Sequence, residues 1–262
     1  MQQNEPKPDT FDILLRLGAF MLVAFVVRTV ASAAMFQLDD IARSTLSTLL
    51  AGIAANWLLV HKFEQGRPAD FGLRWPPRHL AAGFALGAAA LIAVVLGAVG
   101  AGFATFEPSV SDRSIAPLAL LLLAGALGEE MLFRGYAFQY LVREWSEPLT
   151  IAGSGILFGL VHLSNANVQL IGAANTALWG CLLGYAYTRV RSLWLPIAIH
   201  FGWNLALTLF TSNISGTTIR AADWDLRWSG GDLWSGGAYG VEGGLLTTIA
   251  ALPVFLLVRR MR

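Results

Sequence analysis

The chain has 262 residues, 55% of them hydrophobic and only 13% charged, with a formal net charge of +1 and a mean hydropathy of +0.58. A soluble domain carries about 25% charged residues, so half the usual surface charge is missing. The balance speaks against nucleic acid, since no basic cluster with interleaved aromatics occurs. The single cysteine, Cys181, excludes an internal disulfide and any CxxC metal motif.

The apolar residues are gathered into runs near the length of about 20 residues that carries a helix across a bilayer. In chain order eight spans are predicted, at 13–36, 41–60, 80–105, 116–141, 149–163, 168–188, 193–211 and 241–258. The fifth is short enough to enter the membrane without crossing it. The expected fold class is an all-α, polytopic transmembrane helix bundle, built as one integral-membrane domain over residues 1–262. The first run is followed by Ala31-Ser32-Ala33, which has the form of a signal-peptidase site. Arg28 interrupts that run and Asp9 and Asp12 dilute its positive flank, so a retained helix is expected.

Between the spans, residues 61–79 form a charged, proline-bearing loop, and Pro196 falls near the start of the seventh span, where it costs little. Gly83-x-x-x-Gly87 marks a close helix contact, expected within this chain. Residues 212–240 are the longest polar stretch. Trp224, Trp228 and Trp234 suit a loop lying against lipid headgroups. His61 and His79 flank the charged loop and read as interfacial residues.

Loop cations set the orientation. Lys7, Arg16, Lys62, Arg67, Arg74, Arg78, Arg143, Arg189, Arg191, Arg259, Arg260 and Arg262 fall on one side, against Arg43, Arg113, Arg220 and Arg227 on the other. Twelve against four places both termini in the cytoplasm, in agreement with an even number of crossings.

Charges inside spans need a reason, because each costs about 2.5–3.5 kcal/mol at a helix centre. Gly128-Glu129-Glu130-Met131-Leu132-Phe133-Arg134 holds three ionisable groups. Glu130 and Arg134 are four apart, share a helix face and suit an ion pair. Glu129 points about 100° away from Glu130 and has no partner nearby in sequence. Such a carboxylate suits proton transfer near neutral pH. Two histidines follow in later spans. His162 lies one turn after Phe158, and His200 one turn before Asn204. A lone buried histidine is usually a packing residue; two of them with an unpaired acid point to a site within 116–211.

The ordered triplet Glu-Glu-x-x-x-Arg (129–134), Phe-x-x-x-His (158–162) and His-x-x-x-Asn (200–204) resembles the CPBP family. That family comprises the CaaX-protease and bacteriocin-processing membrane proteases, related to the Ras-converting enzyme. The likeness covers about 116–211. It implies an intramembrane endopeptidase in which Glu129 and His162 polarise a water while His200 and Asn204 hold the oxyanion. Glu130 and Arg134 orient the site. The partners implied are membrane lipid and a peptide or protein substrate, possibly membrane-anchored. The location implied is an integral position in a bacterial cytoplasmic membrane.

Zinc is the nearest rival: Glu129, His162 and His200 are enough ligands for a catalytic ion, although no HExxH helix is present. The expectation is no cofactor, with zinc as the alternative. A non-catalytic scaffold or immunity protein is the reading from another class. A transporter would call for inverted repeats, and none is found.

Overall fold

A computed structural model describes residues 9–66, 72–74, 79–211 and 213–261. Of the loop cations counted above, Lys7, Arg67, Arg78 and Arg262 lie outside the described residues, as do Ser212 and part of the 61–79 loop.

The chain begins with α1 (Thr10–Ala34) and α2 (Asp40–Leu59). Each starts where an aspartate accepts from the free N–H groups of its first turn: Asp9 from Asp12, and Asp39 from Ile41 and Ala42. A π-helical turn at Val60–Glu64 prolongs α2, and α3 (Leu80–Gly100) follows. Next come α4 (Ile115–Arg134), α5 (Tyr136–Glu144), α6 (Glu147–Val161), α7 (Leu170–Val190) and α8 (Trp194–Phe210). The chain closes with the four-residue α9 (Asp232–Ser235) and α10 (Leu245–Val258).

Thr10–Ala34, Asp40–Glu64, Leu80–Gly100 and Ile115–Glu144 are long and apolar enough to cross a membrane; α8 and α10 are apolar but shorter. The chain is a helical membrane protein. On α1, Phe11, Leu14, Met21, Leu22 and Phe25 are exposed from the protein and Phe20 is buried, which suits a helix with lipid as its outer solvent.

Three sequence boundaries are corrected. The span expected at 80–105 ends at Gly100, and residues 104–108 form a strand. The span expected over 116–141 is interrupted at Gly135, where buried Asn56 takes over the helix end. Its Oδ1 accepts from the Tyr136 amide at 2.6 Å, and its Nδ2 donates to the Met131 carbonyl at 2.8 Å. The last helix begins at Leu245 rather than 241. The polar stretch after α8 contains short strands and the four-residue α9, so the fold is not helical throughout. Strand β1 (Ala104–Pro108) pairs antiparallel with β4 (Trp224–Trp228), from Ala104↔Trp228 to Pro108↔Trp224. Strands β2 (Asn213–Ile214) and β3 (Thr217–Thr218) form a hairpin. Its turn residues Ser215 and Gly216 have φ of 46° and 84°, the positive values that a two-residue I′ connection needs.

Helix α3 packs along α8, α6 along α7, α2 along α4 and α1 along α2. The α3–α8 seam is nearly backbone to backbone. A Cβ on Gly87 would lie 2.0 Å from the Ile199 carbonyl oxygen, and one on Gly83 2.8 Å from that of Leu195. The Gly83/Gly87 contact is therefore internal to the chain, and it fixes α8 one residue before His200. Leu91, Val95, Leu195, Ile199 and Leu207 bury fully around this seam, with the Trp179 and Trp203 rings 4.4 Å apart beside it.

Candidate active site

Helix α4 carries the acids. At Gly128 it lies directly on α2, since a Cβ there would sit 2.7 Å from the Leu49 Cα. Only glycine permits that approach. Glu130 and Arg134 share one face and are both fully buried, with Arg134 Nη1 donating to Glu130 Oε1 at 3.1 Å. Arg134 Nη2 also donates to the Gly180 carbonyl at 2.6 Å, tying α4 to α7, and the guanidinium lies 4.9 Å from the centre of the Phe158 ring.

Glu130 has a second partner that sequence spacing did not suggest. Its Oε1 also accepts from His200 Nδ1 at 3.0 Å, while Oε2 has no partner among the described residues. One carboxylate oxygen thus fixes both the arginine and the histidine ring. Glu129 points away, its side chain 32% exposed, with Oε2 4.0 Å from His200 Nε2.

Helix α6 ends at Val161, so His162 sits at its C-cap. Its Nδ1 lies 2.7 Å from the Phe158 carbonyl oxygen. A carbonyl only accepts, so Nδ1 carries the hydrogen, and in the neutral ring the lone pair is on Nε2. Phe158 itself is a wedge. It makes edge contacts with Phe133 at 4.9 Å and with His200 at 6.2 Å, and it lies 4.5 Å from the His162 ring. The phenylalanine of the second motif therefore faces the buried arginine and touches both histidines.

Glu129, His162, His200 and Asn204 all line one cavity of about 450 Å³. Glu130 and Arg134 lie behind its wall. The cavity also draws on parts of the chain that carry none of the motifs. Ile41 and Thr45 of α2 line it, as do Trp179 of α7 and Ile214 and Ile219 beyond α8. Sequence reasoning missed these, and also Glu242, which lines the same space. Glu242 accepts from Trp203 Nε1 at 3.3 Å and from the Ser215 amide and hydroxyl at 2.6 and 2.9 Å. Beneath it, buried Asn175 donates to the carbonyls of Glu242 and Gly244 at 2.8 and 2.9 Å and accepts from Thr248 at 2.6 Å. The available signal was an acid and an amide, Glu242 and Asn175, in otherwise apolar surroundings.

Metal ligation can be tested on this geometry. Among the described residues, no three His, Cys, Asp or Glu side chains are grouped so as to hold an ion. His200 is turned with Nδ1 on Glu130, and His162 Nδ1 is bound to a carbonyl. Each contact leaves the ring's Nε2 free, and histidines that ligate a metal commonly hold their other nitrogen in this way. The remaining histidines are remote from this chemistry: His61 stacks on Trp57 at 5.7 Å, and His79 precedes α3.

Residues 111–206 match the family model described as type II CAAX prenyl endopeptidase Rce1-like. The match spans 96 of the 262 residues, and over that segment the chain is similar to the CPBP/CaaX proteases. No curated protein matches it as a relative. The family's activity is peptide-bond hydrolysis within a membrane, on a peptide or protein substrate. The matched segment contains all three motifs. The α2 wall, the 213–219 hairpin and Glu242 lie outside it.

Proposed function

We propose that this chain is an intramembrane endopeptidase of the CaaX type that hydrolyses a peptide bond with water and no metal. The observation that carries the reading is the convergence of Glu129, His162, His200 and Asn204 on one cavity. The Glu129 carboxylate takes a proton from water, while His162 Nε2 accepts the other O–H and aligns the oxygen. That oxygen bonds to the scissile carbonyl carbon, and the C=O electron pair moves onto oxygen. Asn204 Nδ2–H and His200 Nε2–H stabilise the oxyanion, the kind of interaction that commonly contributes most to catalysis. As the tetrahedral species collapses the C–N bond breaks, and the proton held by Glu129 passes to the leaving nitrogen.

His200 donates from both ring nitrogens in this scheme, so it acts as imidazolium, with Glu130 at 3.0 Å and Glu129 at 4.0 Å as counter-charges. Two carboxylates, one imidazolium and Arg134 then sum to zero, which is what an ionic cluster inside a membrane protein requires. In the same reading the chain crosses a bacterial cytoplasmic membrane eight times, with both termini in the cytoplasm and a substrate that is itself membrane-anchored. The test is cleavage of a quenched peptide by detergent-purified protein, with bound metal measured on the same sample. Glu129→Gln should abolish cleavage while leaving the protein folded. Cleavage at the wild-type rate would refute the mechanism.

A further inference from the structure

The ion pairs sort the helix ends into two faces. On one, Arg16 of α1 and Arg143 of α5 both reach Glu64 after α2, at 3.0 and 3.1 Å. Arg191 after α7 reaches Glu147 of α6 at 3.3 Å, and Arg189 donates to the carbonyls of Arg259 and Met261 beyond α10. The start of α1, the end of α2, α5, the start of α6, the end of α7 and the end of α10 therefore share a face. On the opposite face, Arg113 before α4 reaches Asp39 before α2 at 3.7 Å, and β1 pairs with β4.

The cavity belongs to that second face. Its α2 lining comes from the first turns (Asp40 to Thr45), its α4 lining starts at Leu121, and its α8 lining runs from His200 toward the C-terminal end. The rim includes Asp40, whose side chain is 90% exposed, and exposed Thr217 of β3. No lining residue comes from the π turn, from α5 or from the chain after α10. The cations are distributed the other way. Among the described loop and helix-end residues, Arg16, Lys62, Arg74, Arg143, Arg189, Arg191, Arg259 and Arg260 are on the closed face, and Arg43, Arg113, Arg220 and Arg227 on the cavity face. Lys and Arg in short loops stay on the cytoplasmic side.

We infer that the catalytic cavity opens on the non-cytoplasmic face of the membrane. The substrates are then peptide segments of exported or membrane-inserted chains that reach the site from outside. A lipid-anchored tail held at the cytoplasmic leaflet does not reach it. This inference rests on the protease reading only for what the cavity does; its direction is independent of activity.

Accessibility tests it on the full chain. In a Cys181→Ser background, single cysteines are placed at Thr217 (cavity rim), at Val110 (the loop before α4, same face) and at Trp145 (after α5, closed face). None of these changes removes a charge. A membrane-impermeant maleimide applied to intact cells should label Thr217→Cys and Val110→Cys as fully as after permeabilisation. Trp145→Cys should label only once the membrane is opened. The reverse pattern, or labelling of all three from outside, overturns the inference and leaves the protease reading standing. Sealed right-side-out vesicles should also cleave an impermeant quenched peptide. If Glu129→Gln cleaves that peptide in detergent as fast as wild type, the protease reading fails and the labelling result stands.

Discussion

Glu129 and Glu130 are adjacent in sequence, yet exchanging each for glutamine should have opposite consequences. Glu130 is fully buried and its Oε1 serves both Arg134 and His200. Glu130→Gln leaves the Arg134 guanidinium charged and buried without its paired carboxylate, with a neutral amide oxygen, the Gly180 carbonyl and the Phe133 and Phe158 rings as its remaining partners. Breaking a buried pair from one side costs about 3–5 kcal/mol. At 1.4 kcal/mol per decade that lowers the folded-to-unfolded ratio by about two to four orders of magnitude. Glu129 is partly exposed and its nearest ionic contact is at 4.0 Å, so Glu129→Gln should change stability by no more than about 0.5 kcal/mol. Its cleavage rate should fall by about 10²–10⁴, the share general acid–base catalysis usually contributes. Thermal unfolding in detergent and peptide cleavage, measured on both variants, separate the two roles. The double change Glu130→Gln with Arg134→Met should recover part of the lost stability, because no lone charge then remains. Equal melting of Glu130→Gln and wild type, or a double variant weaker than either single one, would refute the buried-hub reasoning.

His162→Ala should keep the folded yield and lose about 10²–10⁴ in cleavage rate, since the ring supplies a base at a helix end rather than core packing; near-normal turnover would remove His162 from the mechanism. Gly87→Ala drives a Cβ into the Ile199 carbonyl and should destabilise by about 1–3 kcal/mol, read as a lower melting temperature. Glu242→Ala leaves Trp203 Nε1 and the Ser215 amide without their acceptor, costing about 1–3 kcal/mol, and should raise KM more than it lowers kcat. Chelation with EDTA should leave cleavage at the untreated rate; loss of activity that zinc restores would refute the metal-free route.

Helix positions were legible because bilayer thickness imposes a length on apolar runs: seven of the eight predicted runs contain one α-helix, and the run at 116–141 contains α4 and most of α5. The site lettering was legible for a related reason. Glu129, Glu130, Arg134, His162 and His200 stand out against lipid-length hydrophobic stretches that have no use for charge. What could not be read is what depends on contacts between distant segments. Asn56 breaks the fourth run from 75 positions away. Glu130 was assigned to Arg134 by its i,i+4 spacing, and no local pattern connects it to His200 seventy residues later. The 213–244 segment has neither helical nor strand periodicity long enough to register, yet its short hairpin and Glu242 complete the cavity.

That last wall bears on how such an enzyme diversifies. The charged hub and His200 sit on helices whose backbones touch at Gly87 and Gly128, and His162 caps α6, which closes on α7 at Gly155; at each glycine almost any side chain would push the helices apart. Ile214, Ser215, Thr217 and Ile219 sit instead on a hairpin outside the 111–206 match. In the proposed reaction, substitutions at these four positions would reshape the space around the peptide and leave the buried ion pair and the helix seams beneath it untouched. Peptide preference and bond cleavage would then rest on separate parts of the chain.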